Sequence, residues 1–173
     1  MMPQNLSENQ SKRKVRIRKL EPGDRPRIAE IVVSSGNFND VEIATALELV
    51  DEALAEGEKS GYMIVVLEDG KNPVVKGYAC YGPTPLTQGV YDLYWIAVDP
   101  ADQGKGFGQR LLKCVEQDVV NRGGRMLLIE TSSYETYGAT IRFYERSGYE
   151  LVARIKNFYR IGDAKLVFSK ELT

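Results

Sequence analysis

Between Tyr62 and Val98 the chain runs through three segments rich in β-branched and aromatic residues, YMIVVLED, VVKGYACYG and VYDLYWIAV, parted only by DGKNP and GPTPLTQG. Separators this short, built from Gly, Pro and Asn, turn the chain back on itself, so the three segments are expected to form an antiparallel meander. Helix signals flank it. Upstream, Asp24 with Pro26 opens a helix and Gly36 closes it; Asn39 with Glu42 has capping-box spacing ahead of an apolar stripe at Ile43, Leu47, Val50 and Leu54. Downstream, a long helix is expected from about Gly104 to Asn121, a buried strand over Met126 to Glu130, a helix around Thr136 to Ser147, and strands near Tyr149 to Lys156 and Lys165 to Ser169. In the basic run KRKVRIRK, Val15 and Ile17 alternate with Arg16 and Arg18, which suits an edge strand with its charges outward better than a nucleic-acid patch. The order β-αα-βββ-α-β-α-ββ describes an α/β fold, a mixed sandwich without internal repeat.

A chain of 173 residues, 43% hydrophobic and 27% charged, supports one core, so residues 15–173 are expected to form one domain behind a polar, patternless and disordered leader at 1–14. A net charge of −1 offers no positive field to gather nucleic acid or an anionic membrane. The longest apolar run, YMIVVL, is too short to span a bilayer, and a cytoplasmic location is the default. Cys80 and Cys114 lack metal-ligand spacing and read as reduced thiols in the core. The chain has no histidine, which removes Ser-His-Asp and Cys-His catalysis and most zinc chemistry, and no metal site is expected. Proton transfer is left to carboxylates, tyrosine, cysteine, lysine or water.

The stretch VDPADQGKGFGQRLL, Val98 to Leu112, joins the last meander strand to the long helix and carries Gly104, Gly106 and Gly108. First-turn N–H groups of a helix have no intrahelical acceptor, and the macrodipole adds about half a positive charge there. An anion docks on such a terminus, and residues without Cβ let a large one approach the main chain. A diphosphate fits. Hydrogen bonds to a charged group contribute about 1.5–3 kcal/mol each, so several amides hold a nucleotide without an arginine clamp, with Lys105 as an added charge. A mononucleotide P-loop is disfavoured, because Gln109-Arg110 stand where Lys and Ser or Thr are needed. The dinucleotide fingerprint fails too, since these evenly spaced glycines follow a meander and not the first strand of a parallel unit.

The segment LYWIAVDPADQGKGFGQRLL, with Gln103, Gly106 and Gly108 in a Gln/Arg-x-x-Gly-x-Gly/Ala run, resembles the signature of the GNAT superfamily of N-acetyltransferases. A second block, ATIRFYERSGYEL from Ala139 to Leu151, is similar to the family's helix bearing an aromatic-Tyr pair before a Gly-aromatic turn. The terminal NFYRIGDAKLVFSK looks like the closing hairpin of several members, including some that acetylate protein N-termini. The resemblance implies the GNAT fold, a mixed and mostly antiparallel sheet flanked by helices, with acetyl-CoA as cofactor and a primary amine as acceptor. It places the pyrophosphate on the amides of Gly104, Lys105, Gly106, Phe107, Gly108 and Gln109, and the thioester along Ile96, Ala97 and Val98, whose backbone donates to the acetyl carbonyl. Many members dimerise, so a homodimer is compatible with it. One departure stands out: Tyr137 lies near a position where many members carry a cofactor-contacting asparagine.

The chemistry asks for a base and an acid. Deprotonating a lysine-like ammonium at pH 7 costs about 4–5 kcal/mol and an α-amine about 1, so a base helps without being indispensable. Glu130, ending the buried strand, is the first candidate, acting through water, with capping of the next helix as its structural alternative; Asp92, in register with Tyr94, Ile96 and Val98, is the competitor. Tyr144 matches the family's general acid, although a Phe-Tyr pair on an amphipathic helix is ordinarily core. Trp95 and the strand tyrosines suit cross-strand packing, Cys114 has no activating surroundings, and Arg142 and Arg146 lie on the polar helix face. The resemblance thus implies an acetyl-CoA-dependent N-acetyltransferase working by direct attack on a small-molecule or peptide amine; the alternative is a non-catalytic acyl-CoA-binding or regulatory module on the same fold. Acceptor choice is expected to come from SSGNFND, Ser34 to Asp40, and from NFYRIGD, Asn157 to Asp163, read as a loop.

Overall fold

The computed structural model describes residues 15–70 and 73–172; the leader expected at 1–14 lies outside the described residues. The elements follow the expected order: β1 (Arg16–Lys19), α1 (Arg25–Ser34), α2 (Asp40–Glu56), β2 (Met63–Asp69), β3 (Val74–Pro83), β4 (Val90–Val98), α3 (Phe107–Asn121), β5 (Met126–Ser132), α4 (Gly138–Arg146), β6 (Glu150–Arg160) and β7 (Asp163–Glu171). The α2 capping box forms as its spacing predicts: the Glu42 amide donates to Asn39 Oδ1 at 2.9 Å and the Asn39 amide to Glu42 Oε2 at 2.8 Å.

Seven strands make one sheet in the order β1-β2-β3-β4-β5-β7-β6. Every neighbouring pair is antiparallel except β4 and β5, which are parallel. Strand alternation gives the sheet two buried faces. On one, α1 and α2 cover Ile64, Val66, Val75, Tyr78, Cys80 and Ala97 through Ile28, Ile31, Val32, Ala46 and Val50. On the other, α3 lays Leu111, Leu112, Val115 and Val119 against Val65, Leu67, Leu93, Leu127 and Ile129, with Tyr144 of α4 joining the same cluster. Removing a fully buried leucine such as Leu111 from that layer costs about 2–5 kcal/mol.

Three expectations change. Arg18 does not point outward: its guanidinium donates to Asp24 at 2.7 and 2.9 Å and to Glu68 at 3.0 Å, because Asp24 and Glu68 are themselves buried and a buried carboxylate needs a charged partner. The segment NFYRIGD is not a free loop: β6 runs to Arg160 and residues 161–162 turn, but its pairing with β7 is interrupted between Ile155 and Arg160, where Asn157 at φ 55° accepts from the Gly162 amide at 2.9 Å. The expected register of Asp92 with Ile96 and Val98 is broken by a bulge, described next.

Candidate active site

Cys80 pairs with Trp95 and Tyr81 with Leu93, so Tyr94 is the extra residue of a β-bulge in β4. The bulge flips the alternation. Ile96 and Val98 pack with Leu93 on the α3 face, whereas Asp92 and Trp95 belong to the α1–α2 face. Pairing with β5 stops at Leu93 and Ile129; beyond it β4 stays on β3 through Ile96, Ala97 and Val98, while β5 stays on β7 through Glu130 and Ser132. The sheet therefore splits between the two strands, and the β4 edge facing the split carries backbone groups without a strand partner.

Val98 leads straight into the glycine segment. The Asp99 amide donates to the Lys76 carbonyl at 2.8 Å, and the Asp99 carboxylate accepts from the Ala101 amide at 2.9 Å, closing a single 3-10 turn over Pro100–Asp102. Gly104 and Gly106 then take φ of 78° and 79°, with nothing within 4 Å of where a Cβ would lie. α3 begins at Phe107, three residues later than expected, behind Gly106 as N-cap and with no side chain capping it. Its first helical bond runs from the Arg110 amide to the Gly106 carbonyl at 3.1 Å, which leaves the amides of Phe107, Gly108 and Gln109 as first-turn donors without an intrahelical acceptor. A main-chain surface bare of Cβ at Gly104 and Gly106 has the chemistry to fit a diphosphate.

The other predicted binding residues divide by role. A Cβ at Gly108 would make ordinary contact with the Phe143 ring at 3.5 Å, so α4 packs directly against this turn of α3. The Phe107 ring is core, which leaves that residue only its amide to offer, while the Gln109 side-chain oxygen accepts from Ser147 Oγ at 3.1 Å. Gln103 Nε2 donates to the Val98 carbonyl at 3.5 Å, bridging the ends of the loop. Lys105 pairs with Asp102 at 2.5 Å, and Lys76 reaches the same carboxylate at 2.9 Å; hydrogen bonding from Lys105, foremost, holds Asp102 below the ordinary aspartate value.

Tyr144 lies on the α3 face of the split, with ring centroids 5.4 Å from Phe143, 6.1 Å from Tyr149 and 6.2 Å from Phe168. Burial pushes its phenol well above the usual tyrosine value, so it keeps its proton at neutral pH.

The opposite face carries the carboxylates. Glu130 does not cap α4; one of its oxygens meets Lys165 Nζ at 2.6 Å. Asp92 is half-buried and accepts from Thr84 Oγ1 at 2.7 Å. Burial raises its pKa first of all, the Thr84 hydrogen bond opposes that, the Glu130 charge adds to it and Lys165 works against it. Neither Thr84 nor Lys165 was anticipated. The available signal for Lys165 was a polar residue alternating with Leu166 and Phe168 in an interior strand. Around these groups Phe38 meets Trp95 edge-on at 5.0 Å, the Tyr137 hydroxyl donates to the Asn37 carbonyl at 2.9 Å, and Arg160 stacks over Tyr134 at 4.2 Å. Arg142 and Arg146 are exposed, Cys80 is buried with its thiol pushed up to about 12, and Cys114 is half-buried; neither thiol meets the split.

The acetyltransferase (GNAT) domain model matches residues 60–151, and the chain belongs to this family. A solved GNAT-family structure from Desulfovibrio desulfuricans is 45% identical with a TM-score of 0.88, covering 92% of this chain and 100% of that one. A Salmonella typhimurium structure solved with its cofactor acetyl-CoA shares the fold at 21% identity and a TM-score of 0.71, covering 92% of this chain and 95% of that one. Among curated proteins, the N-alpha-acetyltransferase RimI of Mycobacterium tuberculosis is 33% identical over 88 residues. The match spans about half of each chain, 51% of both. No described helix is long and apolar enough to cross a membrane.

Proposed function

We propose that this chain transfers the acetyl group of acetyl-CoA to a primary amine by direct attack. The observation that carries the reading is the split between β4 and β5, with a bare-amide cradle at one end, a protonated phenol on one face and carboxylates on the other. The amides of Gly104 to Gln109 would hold the pyrophosphate, and the open β4 edge at Ile96 to Val98 would receive the pantetheine arm and polarise the acetyl carbonyl. Bound there, acetyl-CoA supplies a thioester whose acyl carbon accepts the amine nitrogen while the carbon–sulfur bond breaks.

The amine enters from the α1–α2 face, where Asp92 takes its proton through water. We favour Asp92 over Glu130, because Glu130 is ion-paired with Lys165, whereas Asp92 is held by the neutral Thr84 hydroxyl and burial makes it more basic than an ordinary aspartate. Tyr144, from the other face, gives its proton to the departing sulfur; burial widens the gap to a thiol near 8.5 beyond the ordinary ~1.5 pK units, and fixed placement offsets that cost. RimI is an N-alpha-acetyltransferase by name, which supports peptide α-amines beside small amines as acceptors; an α-amine also needs least help from a base.

The test is thiol release from acetyl-CoA over a panel of amines and peptides, alongside calorimetry of CoA uptake. CoA uptake with amine-dependent thiol release is expected. A protein that takes up no CoA sinks the reading, and one that binds CoA but turns over no amine is the non-catalytic module.

A further inference from the structure

The loop between α1 and α2 is pinned at three consecutive residues. Asn37 offers its carbonyl to the Tyr137 hydroxyl at 2.9 Å, Phe38 sets its ring edge-on to Trp95 at 5.0 Å, and Asn39 closes the α2 capping box with Glu42. The first contact joins residues one hundred apart in sequence, tying the start of α4 on one side of the split to the helix pair on the other. Trp95 follows the bulged Tyr94 and precedes Ile96, so the loop rests on the strand that lines the split. Phe38 and Trp95 thus lie on the same face of the sheet as Asp92, the face from which the acetyltransferase reading brings the amine.

We propose that Tyr137 is a positioning residue for the acceptor: through the Asn37 carbonyl it holds the 37–39 loop against Trp95 as a preformed wall of the amine's entry. The proposal rests on the acetyltransferase reading above. It gives Tyr137 a task different from cofactor contact, because its hydroxyl is spent on the loop. The ring anchors from the 3-10 turn ahead of α4, and only the hydroxyl reaches across, so Tyr137→Phe removes the tether while keeping the ring.

The chain has a single tryptophan, Trp95, which makes the loop's position measurable without any acceptor. In Tyr137→Phe, acrylamide should quench Trp95 more strongly, with melting temperature and the calorimetric CoA affinity unchanged. With the best amine of the panel, acceptor KM should rise about 2- to 12-fold, as expected for loss of one neutral hydrogen bond, while kcat stays within about twofold. Phe38→Leu should raise KM in the same direction, and the double variant should fall short of the product of the two, since both act on one loop. Unchanged Trp95 quenching in Tyr137→Phe overturns the tether, and unchanged acceptor KM overturns its role in acceptor binding. Weakened CoA affinity overturns it in favour of cofactor contact. Failure of the wild type to take up CoA is a separate result, which strikes the acetyltransferase reading and leaves the quenching test to judge the tether.

Discussion

The two faces of the split are made in opposite ways. On the α3 face the working groups come from two short runs of sequence, Val98 to Gln109 and Phe143 to Tyr149, and much of what they present is main chain. On the α1–α2 face, Asp92, Glu130, Lys165, Tyr137 and the 37–39 loop arrive from separate elements and act through side chains. On the proposed function, one face is a socket for the constant group, and the other, assembled at long range, is where a change of acceptor would be accommodated.

Substitutions that separate the faces should differ in what they change. Tyr144→Phe should act most strongly, lowering kcat by about 10²- to 10⁴-fold while CoA affinity by calorimetry stays within about twofold. Undiminished thiol release from that variant removes Tyr144 as the acid. Asp92→Asn should lower kcat/KM by about 10²-fold. Its pH profile is the sharper readout. The carboxylate form is the base, so wild-type activity falls as pH drops through the Asp92 pKa, and burial places that acid limb above the ordinary aspartate value; the Asn variant should lose the limb. Gly104→Ala should act on the socket alone. At φ 78° an L-residue costs about 1–2 kcal/mol, and loss of one or more amide contacts should weaken CoA binding about tenfold or more with acceptor KM unchanged. Glu130→Gln should be mildest, less than about tenfold in kcat/KM by the same thiol assay; a loss exceeding that of Asp92→Asn would reverse the assignment of the base.

The local features are legible in the sequence because they depend on neighbours within a few residues: Gly104 and Gly106 at positive φ ahead of α3, the turn at Asp99-Pro100 and the Asn39–Glu42 cap all form. What was hidden depends on register. The bulge at Tyr94 turns Asp92 away from Ile96, and simple alternation along VYDLYWIAV cannot show it, because Tyr94 and Trp95 are both good strand residues. Similarly, NFYRIGD read as a loop, yet β6 extends to Arg160 across an irregular stretch after Ile155, where the Asn157 side chain accepts from the Gly162 amide. Arg18 read as a solvated charge until Asp24 and Glu68, from a turn and the next strand, came to meet it.

The cradle at the head of α3 is built from amides that every residue except proline possesses. Alanine in place of Lys105 or Gln109 would leave those donors where they are and pass over the proposed phosphate site almost in silence. The replacements that reach it alter the backbone itself: a Cβ forced onto Gly104 or Gly106, or a proline at Gly108 that deletes a donor outright.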